Sequence, residues 1–291
     1  MPRLPSAAEH ADARSVDIRK LRRELPHAGP VLRVAQITDT HLEEQMGGTL
    51  LGMNTDASLA HVIALLRAAP QPPHLILATG DLANHGSRAA YARIRQVFDG
   101  LQIPWFWLPG NHDDRDAMRE CLGDGTPAPR SLCVGGWHIV MLDSTIPGQV
   151  GGHLGDTELQ LLEELLLELP THPTLVCLHH QPLPIGCAWL DDQKVRDGAQ
   201  FLDLLGRFPQ VRGVLWGHVH QEFQRESGGV KLMASPSTCI QFAAMSAAFL
   251  VDEKSPGMRW LDLHPDGSLD TRVERVSGVT FSFDRDSAGY M

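Results

Sequence analysis

Short strand-like apolar runs alternate with helical stretches along this chain, and that alternation restricts it to an α/β layer fold. The runs are Val31–Thr38, Leu75–Thr79, Ile103–Leu108, Thr174–Leu178 and Gly213–Trp216, with helices expected over Ser58–Ala68, Ala89–Phe98 and Asp156–Leu169. Each run stops at polar residues of metal-ligand type. In order these are Asp39-Thr40-His41, Gly80-Asp81, Gly110-Asn111-His112-Asp113, His179-His180 and Gly217-His218-Val219-His220. In open α/β sheets ligands sit beyond the carboxyl ends of the strands, so five such ends can deliver these side chains to one crevice.

The remaining features narrow the class. A hydrophobic share of 43% over 291 residues supports a sizeable core. A net charge of −10 argues against nucleic-acid binding, which needs clustered cations to neutralise phosphates. Cys121, Cys133, Cys177, Cys187 and Cys239 are odd in number and lack CxxC spacing, which suits reduced thiols in the cytoplasm. No secretory signal and no membrane-length apolar run is expected. Residues 1–30 read as a flexible N-terminal extension, and residues 31–291 as a single domain whose last part, from Gly228, consists of hairpin-like strands.

On an extended strand, residues two apart share a face, so Asp39 and His41 point the same way, and His218 and His220 repeat the arrangement. Asp81 and Asn111 each follow a glycine, which permits close backbone approach. With His179 these make seven nitrogen and oxygen ligands without sulfur: Asp39, His41, Asp81, Asn111, His179, His218 and His220. Such a set suits two adjacent Mn, Fe, Zn or Co ions with one carboxylate bridging them. Two divalent ions, two aspartates and a bridging hydroxide nucleophile leave roughly one positive charge, which matches a phosphodiester. His112, beside a ligand yet not needed for coordination, is the candidate catalytic acid or phosphate-oxygen donor.

The ordered blocks DxH at 39–41, GD at 80–81, GNHD at 110–113, HH at 179–180 and GHVH at 217–220 resemble the calcineurin-like metallophosphoesterases. Segments outside the ligands, LLGMNT (50–55), HHQPLPIGCAWLD (179–191) and PSTCIQF (236–242), are similar to the bacterial class III cyclic AMP phosphodiesterases. The resemblance implies a four-layer α/β/β/α sandwich of two mixed sheets. It implies one ion on Asp39, His41, Asp81 and His220 and a second on Asp81, Asn111, His179 and His218, with Asp81 as the bridge. Substrate phosphate is expected at His41, Asn111, His112 and His220. One departure concerns Asn84, which stands where the protein-phosphatase branch has an Asp that orients and charges the catalytic His. Another is Gln181, where the family reads Pro.

The activity implied is hydrolysis of 3′,5′-cyclic AMP to 5′-AMP, lowering second-messenger levels, with two divalent ions (Fe or Mn first, Zn or Co as alternatives). A glycerophosphodiesterase or generic phosphodiesterase is the competing enzyme reading, and a non-catalytic scaffold the third. Expected partners are the small substrate and no nucleic acid or membrane, with a homo-oligomer left open. Asp113 and Asp114 are candidate helix caps, His180 is expected in a supporting or substrate-facing place, and Asp156 or Thr157 is expected to cap the helix that follows. Trp189, Asn54 and Thr238 are candidates for the rim of the pocket.

Overall fold

Alternate residues of the central strands enter different cores, and that division builds the layers. The computed structural model describes residues 18–123, 128–285, 287 and 289. Leu75, Leu77, Leu175, Cys177, Ile139, Met141 and Leu215 meet in one apolar cluster. Their neighbours diverge: Ile76 and Ala78 join a second cluster with Leu59, Val62, Tyr91, Ile94 and Met118 of three helices. Val140, Val176, Val214 and Trp216 join a third with Leu162, Leu166, Phe201 and Leu205 of two others. A strand buried on both faces reads as a continuous apolar run, as these do. Two sheets thus lie face to face with helices on each outer side, the α/β/β/α sandwich expected from the resemblance.

One sheet has five strands in the order Leu269–Arg275, Gly257–Leu263, Leu32–Ile37, Leu75–Thr79, Trp105–Leu108. The last three run parallel, and Gly257–Leu263 pairs antiparallel with Leu32–Ile37. The other has seven: Arg22–Leu25, Ser131–Val134, Trp137–Met141, Thr174–Cys177, Val211–Trp216, Val230–Ala234 and Phe223–Ser227. In each sheet the central parallel strands end at the same edge, and the functional side chains gather there.

The helices Thr55–Ala68, Arg88–Asp99 and Gly155–Glu168 lie within three residues of their expected starts. The last is not capped by Asp156 or Thr157. The carboxylate of Asp197, remote in sequence, accepts from the backbone N–H groups of Leu154 (3.0 Å) and Gly155 (2.8 Å). Local cap rules cannot detect a cap supplied across the fold. Asn54 caps the Thr55–Ala68 helix by accepting from Ala57 N–H and is no rim residue. Residues 1–17 of the expected extension lie outside the described residues. Arg22–Leu25 form an edge strand, parallel to Ser131–Val134, where weak order was expected. All five cysteines are free. Among the described residues no helix is long and apolar enough to cross a membrane.

Candidate metal centre

The strands end before the ligand residues, and the backbone then turns through the left-handed region. Asp39 (φ 55°), His41 (φ 43°), Asp81 (φ 50°), His218 (φ 64°) and His220 (φ 47°) all have positive φ. For non-glycine residues this costs about 1–3 kcal/mol each and persists only where the surroundings impose it, which is characteristic of functional sites. The same-face geometry expected from an extended strand is therefore replaced by left-handed turns. The turns are held by Asp39 N–H on the Gly80 carbonyl (3.0 Å) and His41 N–H on the Asp81 carbonyl (2.9 Å).

Three glycines let the segments converge. A Cβ on Gly110 would lie 2.2 Å from Asp81 Oδ1, one on Gly217 2.7 Å from Asp39 Oδ2, and one on Gly80 2.4 Å from His179 Nδ1. The structure brings six of the seven expected ligands into a buried group: Asp39, His41, Asp81, His179, His218 and His220. His220 Nε2 lies 3.4 Å from Asp39 Oδ1 and 3.1 Å from His41 Nε2. His179 Nε2 faces Asp81 Oδ2 at 3.1 Å without hydrogen-bond alignment. Asn111 is half-buried, but its Oδ1 is enclosed.

Backbone carbonyls set the imidazole tautomers. His179 Nδ1–H donates to the Thr79 carbonyl (2.8 Å) and His220 Nδ1–H to the Ile240 carbonyl (2.8 Å), and a carbonyl can only accept. The Nε2 atoms are thereby turned inward. His41 is turned in the same way by the side-chain oxygen of Asn84 (3.2 Å), whose amide nitrogen donates to Glu43. His112 Nδ1–H donates to the backbone carbonyl of Asn84 (2.9 Å). Asn84, which stands where the protein-phosphatase branch has an Asp, orients two of the histidines.

Asp39 Oδ2, Asn111 Oδ1, His179 Nε2 and His218 Nε2 are buried and lack a hydrogen-bond partner among the described residues. Buried polar atoms are otherwise almost always paired. Two carboxylates and four inward-facing imidazoles fit a pair of divalent cations, which would satisfy these donors together. His180 lies close to His179 and His218. Both its ring nitrogens are committed, to Ser144 Oγ (2.8 Å) and the Val150 carbonyl (2.9 Å), so it supports the site without being free to coordinate.

Charges follow from this crowding. Burial and the neighbouring His112 hold His41 well below the usual imidazole range, and burial with His180 does the same to His218. Burial would lower His179 too, but the Asp81 carboxylate raises it to about 9. Burial alone would raise Asp81, while His179 and His112 pull it well below the usual carboxylate range. Asp113 caps nothing in the helix. It accepts from Leu82, Ala83 and Gly110 N–H and from the Tyr91 hydroxyl, tying the GD and GNHD loops together. Asp114 caps the Arg115–Leu122 helix as expected.

A cavity of about 590 Å³ opens beside this group, lined in part by Asp81, Asn111, His112 and His218. Sequence reasoning reached Trp189 on its wall but missed Gln193, Phe242 and Phe249, because nothing local distinguishes them from core or loop residues.

The chain is 44% identical to 3′,5′-cyclic adenosine monophosphate phosphodiesterase CpdA of Pseudomonas aeruginosa over 88% of its own length and 94% of that protein's. It is 42% identical to the protein of that name in Escherichia coli K12, over 91% and 98%. In fold it is similar to the purple acid phosphatase PPD1 of yellow lupin (TM-score 0.63, 14% identity, 89% of this chain and 54% of that one). A dimetal phosphatase from Danio rerio gives a TM-score of 0.55 at 16% identity, over 86% of this chain and 100% of that one. Residues 32–222 match the calcineurin-like phosphoesterase family. That span takes in all five ligand blocks, and the chain belongs to the calcineurin-like phosphoesterases.

Proposed function

We propose that the protein hydrolyses 3′,5′-cyclic AMP to 5′-AMP at a centre of two divalent ions. The observation that carries this reading is the set of buried, unpartnered donors facing one space beside a cavity of nucleotide size. The names of the relatives support the choice of substrate. Asp39, His41, Asp81 and His220 would hold one ion and Asp81, Asn111, His179 and His218 the other. Fe or Mn is the first choice, and Zn or Co is compatible with the same donors. Such ions supply Lewis-acid polarisation of phosphoryl oxygens and increase the acidity of water at neutral pH.

The chain's own groups then position the substrate. By the family resemblance, substrate phosphate would lie near His41, Asn111, His112 and His220, of which Asn111 and His112 line the cavity. His112 has its Nδ1–H fixed on a backbone carbonyl, which sets the ring's orientation without adding a counter-charge. Its Nε2 can therefore donate only from the doubly protonated ring, to a phosphoryl oxygen in the ground state or to O3′ as the P–O3′ bond breaks. Water adds to phosphorus, and O3′ leaves with the proton. The free thiols support a cytoplasmic setting.

The test is steady-state kcat/KM on cyclic AMP, cyclic GMP and glycerophosphoethanolamine by protein reconstituted with Mn, Fe or Zn, with Asn111→Ala and His112→Ala alongside. Cyclic AMP is expected to lead. Asn111→Ala should lose bound metal, and His112→Ala should lose about 10²–10⁴-fold in rate with metal retained. A lead for glycerophosphoethanolamine would refute the substrate assignment.

A further inference from the structure

The cavity beside the candidate ligands is lined by both polar and aromatic side chains. The aromatic part of its wall is formed by Trp189, Phe242 and Phe249. The three rings meet edge to face, with centroids 5.1 Å apart for Trp189 and Phe242, 5.2 Å for Trp189 and Phe249, and 5.3 Å for Phe242 and Phe249. Phe242 is buried and stacks flat on His220, 4.3 Å and 11° apart. The wall is thus joined directly to a ligand residue. Trp189 and Phe249 are half-buried and leave surface toward the cavity.

Trp189 sits on a locked turn, Ala188–Asp191. The Asp191 carboxylate accepts from Ile185 N–H (2.7 Å) and Gly186 N–H (3.1 Å). The side-chain amide of Gln181 donates to the Leu190 carbonyl (2.6 Å). Gln181, the residue at which the HH segment departs from its family, therefore braces this turn. A platform set before the ligand arrives loses little entropy on binding. Gln193 lines the same cavity, and its amide offers a donor and an acceptor side by side.

Resting on the phosphodiesterase reading above, we infer that the aromatic part of this cavity is the nucleobase subsite, with Trp189 and Phe249 stacking on the purine and Gln193 reading its edge. Every base has a π-face that an aromatic side chain can stack on, and a glutamine amide matches the N6/N7 edge of adenine. A plain aliphatic alcohol, as in a glycerophosphodiester, has no use for either feature. The wall therefore makes the chain selective among diesters that the metal chemistry alone would treat alike.

The experiment measures kcat/KM for cyclic AMP, cyclic IMP and methyl 4-nitrophenyl phosphate, which lacks a base, using metal-loaded wild type, Trp189→Ala, Trp189→Phe and Gln193→Ala. The ratio of cyclic AMP to the base-free diester cancels differences in the active fraction. It should fall about 5- to 100-fold in Trp189→Ala, the usual worth of one stacked base, and recover most of that in Trp189→Phe. Gln193→Ala should erode the preference for cyclic AMP over cyclic IMP, which differ in the exocyclic group. A wild type that prefers cyclic AMP while Trp189→Ala keeps the wild-type ratio overturns the subsite alone. A wild type that prefers the base-free diester overturns the cyclic nucleotide reading and the subsite together.

Discussion

Replacing Gly110 by Ala tests whether the placement of Asp81 depends on a missing methyl group. The backbone of Gly110 is not left-handed, so alanine is acceptable there on dihedral grounds. Space is what fails: the new Cβ would stand 2.2 Å from Asp81 Oδ1, 2.4 Å from Asp81 N and 2.8 Å from Asp81 Cγ. Non-bonded carbon contacts relax near 3.5–4.0 Å, so the two segments must part by about 1 Å. That movement would break the bond from His112 N–H to Asp81 Oδ1 (2.9 Å) and displace the carboxylate proposed to bridge the ions. Overpacking of this kind costs about 1–3 kcal/mol, and a 1 Å misplacement at a reacting centre costs about 10²-fold in rate. The assay combines metal content of the dialysed protein by mass spectrometry, Tm, and kcat/KM on an activated diester. We expect fewer than two ions per chain, a lower Tm and a rate down about 100-fold. Gly206→Ala, where the nearest atom is 3.5 Å away, should change none of the three. A Gly110→Ala protein with two ions and wild-type kcat/KM would refute the argument.

Three further outcomes follow from the same structure. Chelation should lower Tm in proportion to the affinity removed, about 4 kcal/mol of stability for metal held at a thousandfold over its Kd, and added Mn should restore it; a Tm indifferent to chelation would deny that the orphaned donors bind ions. Burial, then His172 and Arg22, depress His138 to about 4. Its neutral form is favoured only in the fold, so this contribution is intact above about pH 6.5 and is lost as pH falls toward 4. Thermal melts from pH 7 to 5 should show wild type losing about 2 kcal/mol more than His138→Gln, and equal losses would contradict the burial argument. Asp197→Ala should lower stability by about 1 kcal/mol by uncapping the Gly155–Glu168 helix, read as a Tm shift, with no change if water replaces the carboxylate.

Much of the fold was legible because it rests on local periodicity. The runs at Leu75–Thr79 and Thr174–Leu178 are apolar except for one terminal threonine each, the mark of strands covered on both faces, and the helices carry apolar stripes. The Asp197 cap was not legible, since its partners lie 42 and 43 residues away. Nor was the strand at Arg22–Leu25, whose charged sequence has no strand signature and which pairs only because the Ser131–Val134 edge is open to it. The expectation that Asp39 and His41 share a strand face failed on the backbone: both residues lie beyond Ile37 in left-handed turns, a conformation that sequence propensity disfavours.

The division has a physical basis. Residue type and order alone determined which atoms are available: nitrogen and oxygen donors in five blocks, each placed where a strand must end, with glycines where chains must approach. Tertiary structure decided which nitrogen of each histidine faces inward, because that depends on the carbonyls of Thr79 and Ile240 and on both oxygens of Asn84. It also decided that His180, chemically equal to His179, is spent on Ser144 and Val150. Hydrogen-bond partners distant in the chain are set only when the sheets pack, so the list of candidate ligands is a property of the sequence and their orientation a property of the fold.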